Sequence, residues 1–243
     1  MKLDLSPVIT IDGASGTGKG TISRIIANKL GFKLLDSGAL YRVLALAAIK
    51  HGVSLTDVVT VTMLAEHLGV QFLTSSQDVN AIILEGEDVT QAIRTEAIGD
   101  AASQVGTIPS VRTALLSRQR AFRELPGLVA DGRDMGTVIF PDAELKIYLD
   151  ASQEERAERR CKQLNEQGNH ATLSGVLADL RKRDARDQER AVAPLKPAVD
   201  AICINTDHLT IQGVVDRILA EIAEKKAFPV TSTIRQTELE VAE

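Results

Sequence analysis

Gly13 to Thr21 read GASGTGKGT, which satisfies the G-x-x-x-x-G-K part of the phosphate-loop pattern. Glycines let backbone N–H groups turn inward around a phosphate without obstruction from a Cβ. The helix that follows aims its positive N-terminal end at the same anion. Lys19 is placed to reach the β- and γ-phosphates of a nucleotide as a point charge. One position departs from the strict pattern: Gly20 follows the lysine, and the hydroxyl comes a residue later, at Thr21. A glycine-rich turn that binds nothing is the bland alternative. Here strand, loop, lysine and amphipathic helix occur in the required order, and the sequence points to a nucleoside triphosphate site.

Two classes of protein use such a site, phosphotransferases and nucleotide-dependent switches. A guanine-reading switch would carry an N-K-x-D motif downstream, and the only Asn-Lys pair, Asn28-Lys29, lies in the helix behind the loop. Phosphoryl transfer needs guanidinium forks that neutralise the moving group and hold donor and acceptor in line. Asp36 to Arg42 (DSGALYR) puts a hydroxyl, a helix start and an arginine just beyond a predicted strand, and Asp131 to Gly136 (DGRDMG) follows another in the same manner. Ligands of open α/β sheets gather beyond the carboxyl ends of the strands, so both segments should face the loop. Arg181 to Arg190 (RKRDARDQER) spaces residues 183, 187 and 190 along one helix face. A solvated, salt-bridged helix accounts for that segment equally well. The run Glu154 to Arg160 (EERAERR) is either another solvated helix or the arginine-bearing arm of a lid over the triphosphate.

The elements that must position these residues are legible in outline. Val8 to Ile11 is a short buried strand, and Ile22, Ile25, Ile26 and Leu30 recur at helical spacing before Gly31. A second strand is predicted around Lys33 to Leu35 and a helix from about Ala39 to Lys50, which together make a βαβ unit and hence a parallel sheet. Leu128 to Ala130, Leu145 to Leu149 and Ala201 to Ile204 read as further strands, with an amphipathic helix from Ile211 to Ile222. Ser152 with Glu155 forms a capping box at the start of another helix. Between Val70 and Val89, short β-rich runs separated by Ser-Ser-Gln-Asp and Glu-Gly-Glu-Asp turns predict a small antiparallel insertion. Phe228 to Glu243 reads as a loose tail.

Composition narrows the partners. The 243 residues carry a net charge of −5, with no Trp, two Tyr and five Phe, so neither a basic coat nor stacking platforms for nucleic acid are available. The longest apolar run, Val43 to Ile49, is too short for a membrane span, and the start MKLDLSP lacks the apolar stretch of a secretory signal, which makes the cytoplasm the expected location. Cys161 and Cys203 stand far apart with no metal-ligand spacing, and Cys203, in an apolar run, is expected in the core. The four histidines lie outside all of the motifs.

The chain resembles the bacterial cytidylate kinases of the nucleoside monophosphate kinase group. The resemblance is carried by ITIDGASGTGKGT, LLDSGALYRVLALAA, ILEGEDVT, IRTEAIGDAASQV, VRTALLSRQRAFRELPGLVADGRDMGTVIFPDA, KIYLDAS and RKRDARDQERAVAPL, which run from about Val8 to Leu195. Ala14 departs from the proline common at that place. The resemblance implies an α/β three-layer P-loop kinase fold with a five-stranded parallel sheet in the order 2-3-1-4-5. It implies one kinase domain over residues 1–227, with a monophosphate-binding insertion at about 65–104 and a helical lid at about 153–171, then a tail over 228–243. The implied activity is ATP-dependent phosphorylation of CMP and dCMP, with no nucleic acid or membrane partner; a monomer is expected because no long exposed apolar stripe in the sequence invites self-association. UMP is the alternative acceptor.

Residue roles follow from the same resemblance. Gly13, Ala14, Ser15, Gly16, Thr17, Gly18, Lys19, Gly20 and Thr21 would hold ATP, joined by Arg156 and Arg160 of the lid, with Arg159 an equally good choice. Ser37, Arg42, Arg133 and Arg190 would surround the monophosphate; Ser103, Arg112 and Asp134 would read the cytosine; Arg183 and Asp187 would contact the sugar. Lys19, Arg133 and Arg190 would carry the charge of the transition state. Mg2+ would be held largely by phosphates and water, with Thr21 a weak ligand.

Overall fold

The computed structural model describes residues 6–73, 81–168, 170–225 and 228. Strand β1 (Val8–Gly13) is buried at every position, as a strand must be when helices cover both faces of its sheet. It lies at the centre of a five-stranded parallel sheet with β2 (Lys33–Asp36), β6 (Leu128–Gly132), β7 (Leu145–Asp150) and β8 (Ile202–Asn205), ordered β2-β6-β1-β7-β8. Counting only these strands, the order is the expected 2-3-1-4-5. Because β1 has β6 on one side and β7 on the other, a crevice opens at its carboxyl end, where the phosphate loop begins.

Helices α1 (Lys19–Leu30) and α8 (Ile211–Glu224) cover one face, burying Ile22, Ile26, Val214 and Ile218 against Ile9, Val129 and Ile147. On the other face lies α2 (Ser37–Lys50), with Leu40 packed on Val8, Leu128 and Ala130. Helix α2 begins two residues earlier than its apolar spacing predicts, because Asp36 caps it by accepting a hydrogen bond from the Ala39 N–H at 3.0 Å. Outside α2, a second core joins α3 (Val58–Glu66), α4 (Glu96–Val105) and α5 (Pro109–Arg120) around Val43, Leu44, Val61, Val105 and Leu115.

The predicted insertion is a three-stranded antiparallel sheet of β3 (Val70–Leu73), β4 (Ala81–Leu84) and β5 (Glu87–Asp88), anchored in that second core by Ile82 and Leu84. Its Ser-Ser-Gln-Asp turn lies outside the described residues. Helices α6 (Gln153–Glu166) and α7 (Leu173–Glu189) form an arm with a small core of its own, Ala157, Leu164, Val176 and Leu180. Only half of the expected capping box at Ser152 forms: its Oγ accepts from the Glu155 N–H, but the Ser152 N–H donates to Asp207 Oδ1 at 2.9 Å and the Glu155 carboxylate is taken by Arg159.

Two expectations are corrected. Cys203 is exposed: on edge strand β8 the alternation buries Ile204 beneath α8 and turns Cys203 outward. Phe228, expected as the first residue of the tail, is buried and tilted against Phe32 with ring centroids 6.3 Å apart. The rest of that segment lies outside the described residues.

Candidate active site

The phosphate loop leaves β1 and enters α1 through Gly18, whose φ of +86° is a left-handed conformation open chiefly to glycine. No side chain caps this end of α1 and no acidic residue stands in its first turn. The anion-attracting N-terminus is therefore left to a ligand. Lys19 is buried and donates to the Ala14 carbonyl at 2.9 Å, an acceptor it shares with the Thr17 hydroxyl at 3.0 Å. Burial, with Arg133 nearby, pushes the Lys19 ammonium down to about 8. A polyphosphate arriving beside it would reverse that shift.

Three carboxylates stand behind the loop on neighbouring strand ends, since β2 and β6 pair Asp36 with Asp131 and β1 pairs Asp12 with Gly132. Asp12 accepts from the N–H groups of Met135 and Gly136, both at 2.8 Å, and so ties the π-helical turn Met135–Ile139 to the central strand. Burial raises its carboxyl to about 6 against those two bonds. Burial likewise raises Asp131 to about 7, with Lys19 and Arg133 pulling down and Asp36 pushing up. A Cβ on Gly20 would lie 3.2 Å from Asp131 Oδ2. The residue that breaks the strict loop pattern therefore makes room for a carboxylate, and this is the part of the site that residue spacing alone does not reveal.

Among the described residues, no group of three or more His, Cys, Asp or Glu is arranged to hold a metal ion. Asp131 Oδ1 is buried without a hydrogen-bond partner beside the loop, and Thr21 is exposed at the first turn of α1. One or two oxygen donors fit a magnesium ion that arrives with the nucleotide and keeps most of its water, and do not fit a dedicated protein cage.

Opposite the loop, one cavity gathers residues from the whole length of the chain. Ser15 of the loop lines it together with Ser37 and Arg42 of α2, Ser103 of α4, Arg112 of α5, Arg133 and Asp134 after β6, Arg183 and Asp187 of α7, and Arg190. All nine residues that the resemblance assigns to the monophosphate thus share one hollow. Arg190 lies just past the end of α7, with an extended backbone (φ −58°, ψ 138°), so the single helix face expected for residues 183, 187 and 190 holds only the first two. Arg190 reaches the cavity from the turn, where its Nε donates to the Ala193 carbonyl.

The arginines are held in advance by carboxylates and carbonyls. Arg133 Nε donates to Asp187 Oδ2 at 2.8 Å, and Arg112 Nη2 bonds Asp134 Oδ2. Arg190 Nη2 approaches Asp134 Oδ1 to 3.5 Å, close enough for attraction but without a well-formed bond. Arg42 Nη1 donates to the Ile93 carbonyl at 2.9 Å, and Arg112 sits 5.7 Å from the centroid of the Tyr41 ring. Among the described residues, three buried polar atoms of residues lining this cavity have no hydrogen-bond partner: Ser103 Oγ, Arg183 Nε and Arg190 Nη2. An unpaired buried polar group costs about 1–3 kcal/mol, so such a set points to a polar occupant.

The arginines of α6 go three ways. Arg156 is buried beneath the loop, donating to the Ser15 carbonyl at 2.9 Å and, through both Nη atoms, to Asp184 at 3.0 and 2.6 Å. Arg159 turns to the end of β8 and donates to Thr206 Oγ1 and its carbonyl. Arg160 bonds Glu96 on α4 and lines a small hollow with Ser15 and Gly16.

A central parallel sheet, a glycine loop with a buried lysine at its carboxyl edge, and a guanidinium-lined cavity facing that loop define a P-loop kinase. The family model for cytidylate kinase matches residues 9–224. Curated cytidylate kinases align over nearly the full chain: that of Stutzerimonas stutzeri is 60% identical over 90% of this chain and 96% of its own length. The enzyme of Pseudomonas syringae pv. tomato is 61% identical over 90% and 96%, and that of a Marinomonas species 57% over 91% and 98%. The chain belongs to the cytidylate kinase family.

Proposed function

We infer that the protein transfers the terminal phosphoryl group of ATP to CMP and dCMP, giving the nucleoside diphosphates. The observation that carries the site assignment is that Ser15 of the phosphate loop and Arg42, Arg133 and Arg190 line one cavity. A triphosphate on the loop and a monophosphate among the arginines would then meet end to end.

The acceptor is an already ionised phosphate oxygen, so the reaction needs alignment and charge neutralisation and no strong general base. Lys19 would hold the oxygens that bridge to the moving group. Arg133, near enough to Lys19 to lower its proton affinity, would span donor and acceptor, and Arg42 and Arg190 would fix the accepting phosphate. Magnesium carried by ATP would supply further neutralisation, with Asp131 and Thr21 as the oxygen donors that would help to hold it. Of the α6 arginines, Arg160 is the one we assign to the triphosphate. Arg156 would act from behind, by fixing the loop backbone through Ser15.

Base choice falls to Asp134, Arg112 and Ser103. Cytosine offers an N4 amine to a carboxylate and acceptors at N3 and O2 to an arginine or hydroxyl, whereas uracil would set its O4 against Asp134. No helix among the described residues is long and apolar enough to cross a membrane. We place the reaction in the cytoplasm, where both substrates are found.

The test is ADP formation by the purified protein with ATP and Mg2+ and, in turn, CMP, dCMP, UMP, AMP and GMP. CMP and dCMP should turn over, with UMP slower by roughly tenfold or more. Preference for another base would overturn the specificity, and turnover with none would overturn the kinase reading.

A further inference from the structure

Glu96 has no role in the site described so far, yet it touches both halves of it. It is the first residue of α4, and its two carboxylate oxygens are divided between two arginines from different helices. Oε2 accepts from Arg183 Nη2 at 2.8 Å, and Oε1 is bonded by Arg160 Nη2. The same Arg183 nitrogen also reaches the Glu96 backbone carbonyl at 3.2 Å. Arg183 lines the acceptor cavity, and together with Arg160 it lines the small hollow beside Ser15 and Gly16 of the phosphate loop. Glu96 also borders a cleft of about 650 Å³ between the turn before α4 and the α6–α7 arm.

Among the described residues neither arginine has a second carboxylate to define its direction: Arg160 Nη1 bonds the neutral Gln163, and Arg183 Nε has no hydrogen-bond partner there. Two guanidinium groups sharing one carboxylate would otherwise repel each other across the junction of donor and acceptor. A charge-assisted contact is short and directional, so Glu96 sets where both point.

We propose that Glu96 is a positioning residue for phosphoryl transfer: its carboxylate aligns Arg160 for the triphosphate and Arg183 for the acceptor nucleoside, and so registers the α6–α7 arm on the monophosphate side. This rests on the kinase reading above. Glu96 touches no reacting atom. Its effect passes through the two arginines, and Glu96→Gln keeps the shape while removing the charge that holds them.

The experiment is steady-state kinetics on wild type, Glu96→Gln, Glu96→Asp, Arg160→Ala and the double variant Glu96→Gln/Arg160→Ala, each with its melting temperature. Glu96 is partly exposed and fills no cavity, so all five proteins should fold. Glu96→Gln should lower kcat roughly tenfold with little rise in the KM for CMP or ATP, because alignment is lost before affinity. Glu96→Asp, which keeps the charge, should recover part of the rate. Arg160→Ala should be impaired, and adding Glu96→Gln should cost clearly less than the product of the two single losses. Multiplicative losses, an unchanged kcat in Glu96→Gln, or a drop in activity that only follows a drop in melting temperature would overturn the proposal while leaving the kinase reading intact. A fully active Arg160→Ala would overturn the role of Arg160 in the proposed function and this inference with it.

Discussion

The two halves of the site are built by opposite means. The donor half is one stretch of backbone: the nine consecutive residues Gly13 to Thr21 carry the chain from β1 into α1, and the buried Lys19 adds the charge. The acceptor half is side chain, with guanidinium groups from residues 42 to 190 brought together by helices α2, α5 and α7, the end of β6 and the turn after α7. Backbone donors need no partner to hold their direction, whereas each long arginine must be held by a carboxylate or carbonyl before the ligand arrives, as Arg133 is by Asp187 and Arg42 by Ile93. A binding site made of side chains therefore needs a second set of residues, and Asp134, Asp187 and Glu96 serve that purpose.

The sharpest way to break this comparison is Lys19→Met. The donor half has one cationic side chain at its centre, so kcat should fall by about a thousandfold, the scale of losing a key charge on a transferring phosphoryl group, while CMP binding to the free protein changes little. A loss of less than tenfold would show that amides alone suffice. In the acceptor half no single residue should dominate so completely. Asp134→Ala should lower the ratio of kcat/KM for CMP over UMP roughly tenfold with the KM for ATP within about threefold of wild type. Equal losses on both substrates would show that Asp134 only orders Arg112 and Arg190.

A smaller effect tests the carboxylate that stands against Gly20. In the fold, Asp131 keeps its proton up to about pH 7, against an ordinary value of 3.8. The stability that the protonated group contributes is full below about pH 4 and is lost as the pH rises through 7. Without nucleotide or Mg2+, Asp131→Asn should melt several degrees above wild type at pH 8, with the gap closing towards pH 5; about 2–4 °C corresponds to 1 kcal/mol in a chain of this size. A gap that does not change with pH would mean that Asp131 is ionised without cost. Asp131→Asn should nevertheless lower turnover.

The donor half was legible because it is local. Strand, glycines, lysine and helix stand in one line of text, and the only hidden partner is Asp131, which reaches Gly20 from more than a hundred residues away. The strand-end rule already brings Arg42 and Arg133 to the loop, but the convergence of Arg112, Arg183 and Arg190 rests on the family resemblance, since spacing says nothing about which distant helices meet. Periodicity also overran the end of α7 and put Arg190 on a helix it does not belong to. Cys203 was misread because an apolar run does not distinguish a central strand from an edge. Glu96 lies in the resemblance segment IRTEAIGDAASQV, but nothing in that run marks it as a partner of distant arginines: its position matters only once α4, α6 and α7 are packed together.

The most direct test of the side-chain-built acceptor pocket is a calorimetric titration of the free protein with CMP and with cytidine. Two charge-assisted contacts to the phosphate amount to about 3 kcal/mol or more, so CMP should bind at least about a hundredfold more tightly than the nucleoside. Cytidine binding within a few-fold of CMP would mean that the arginines do not grip the phosphate, and would contradict the account at its centre.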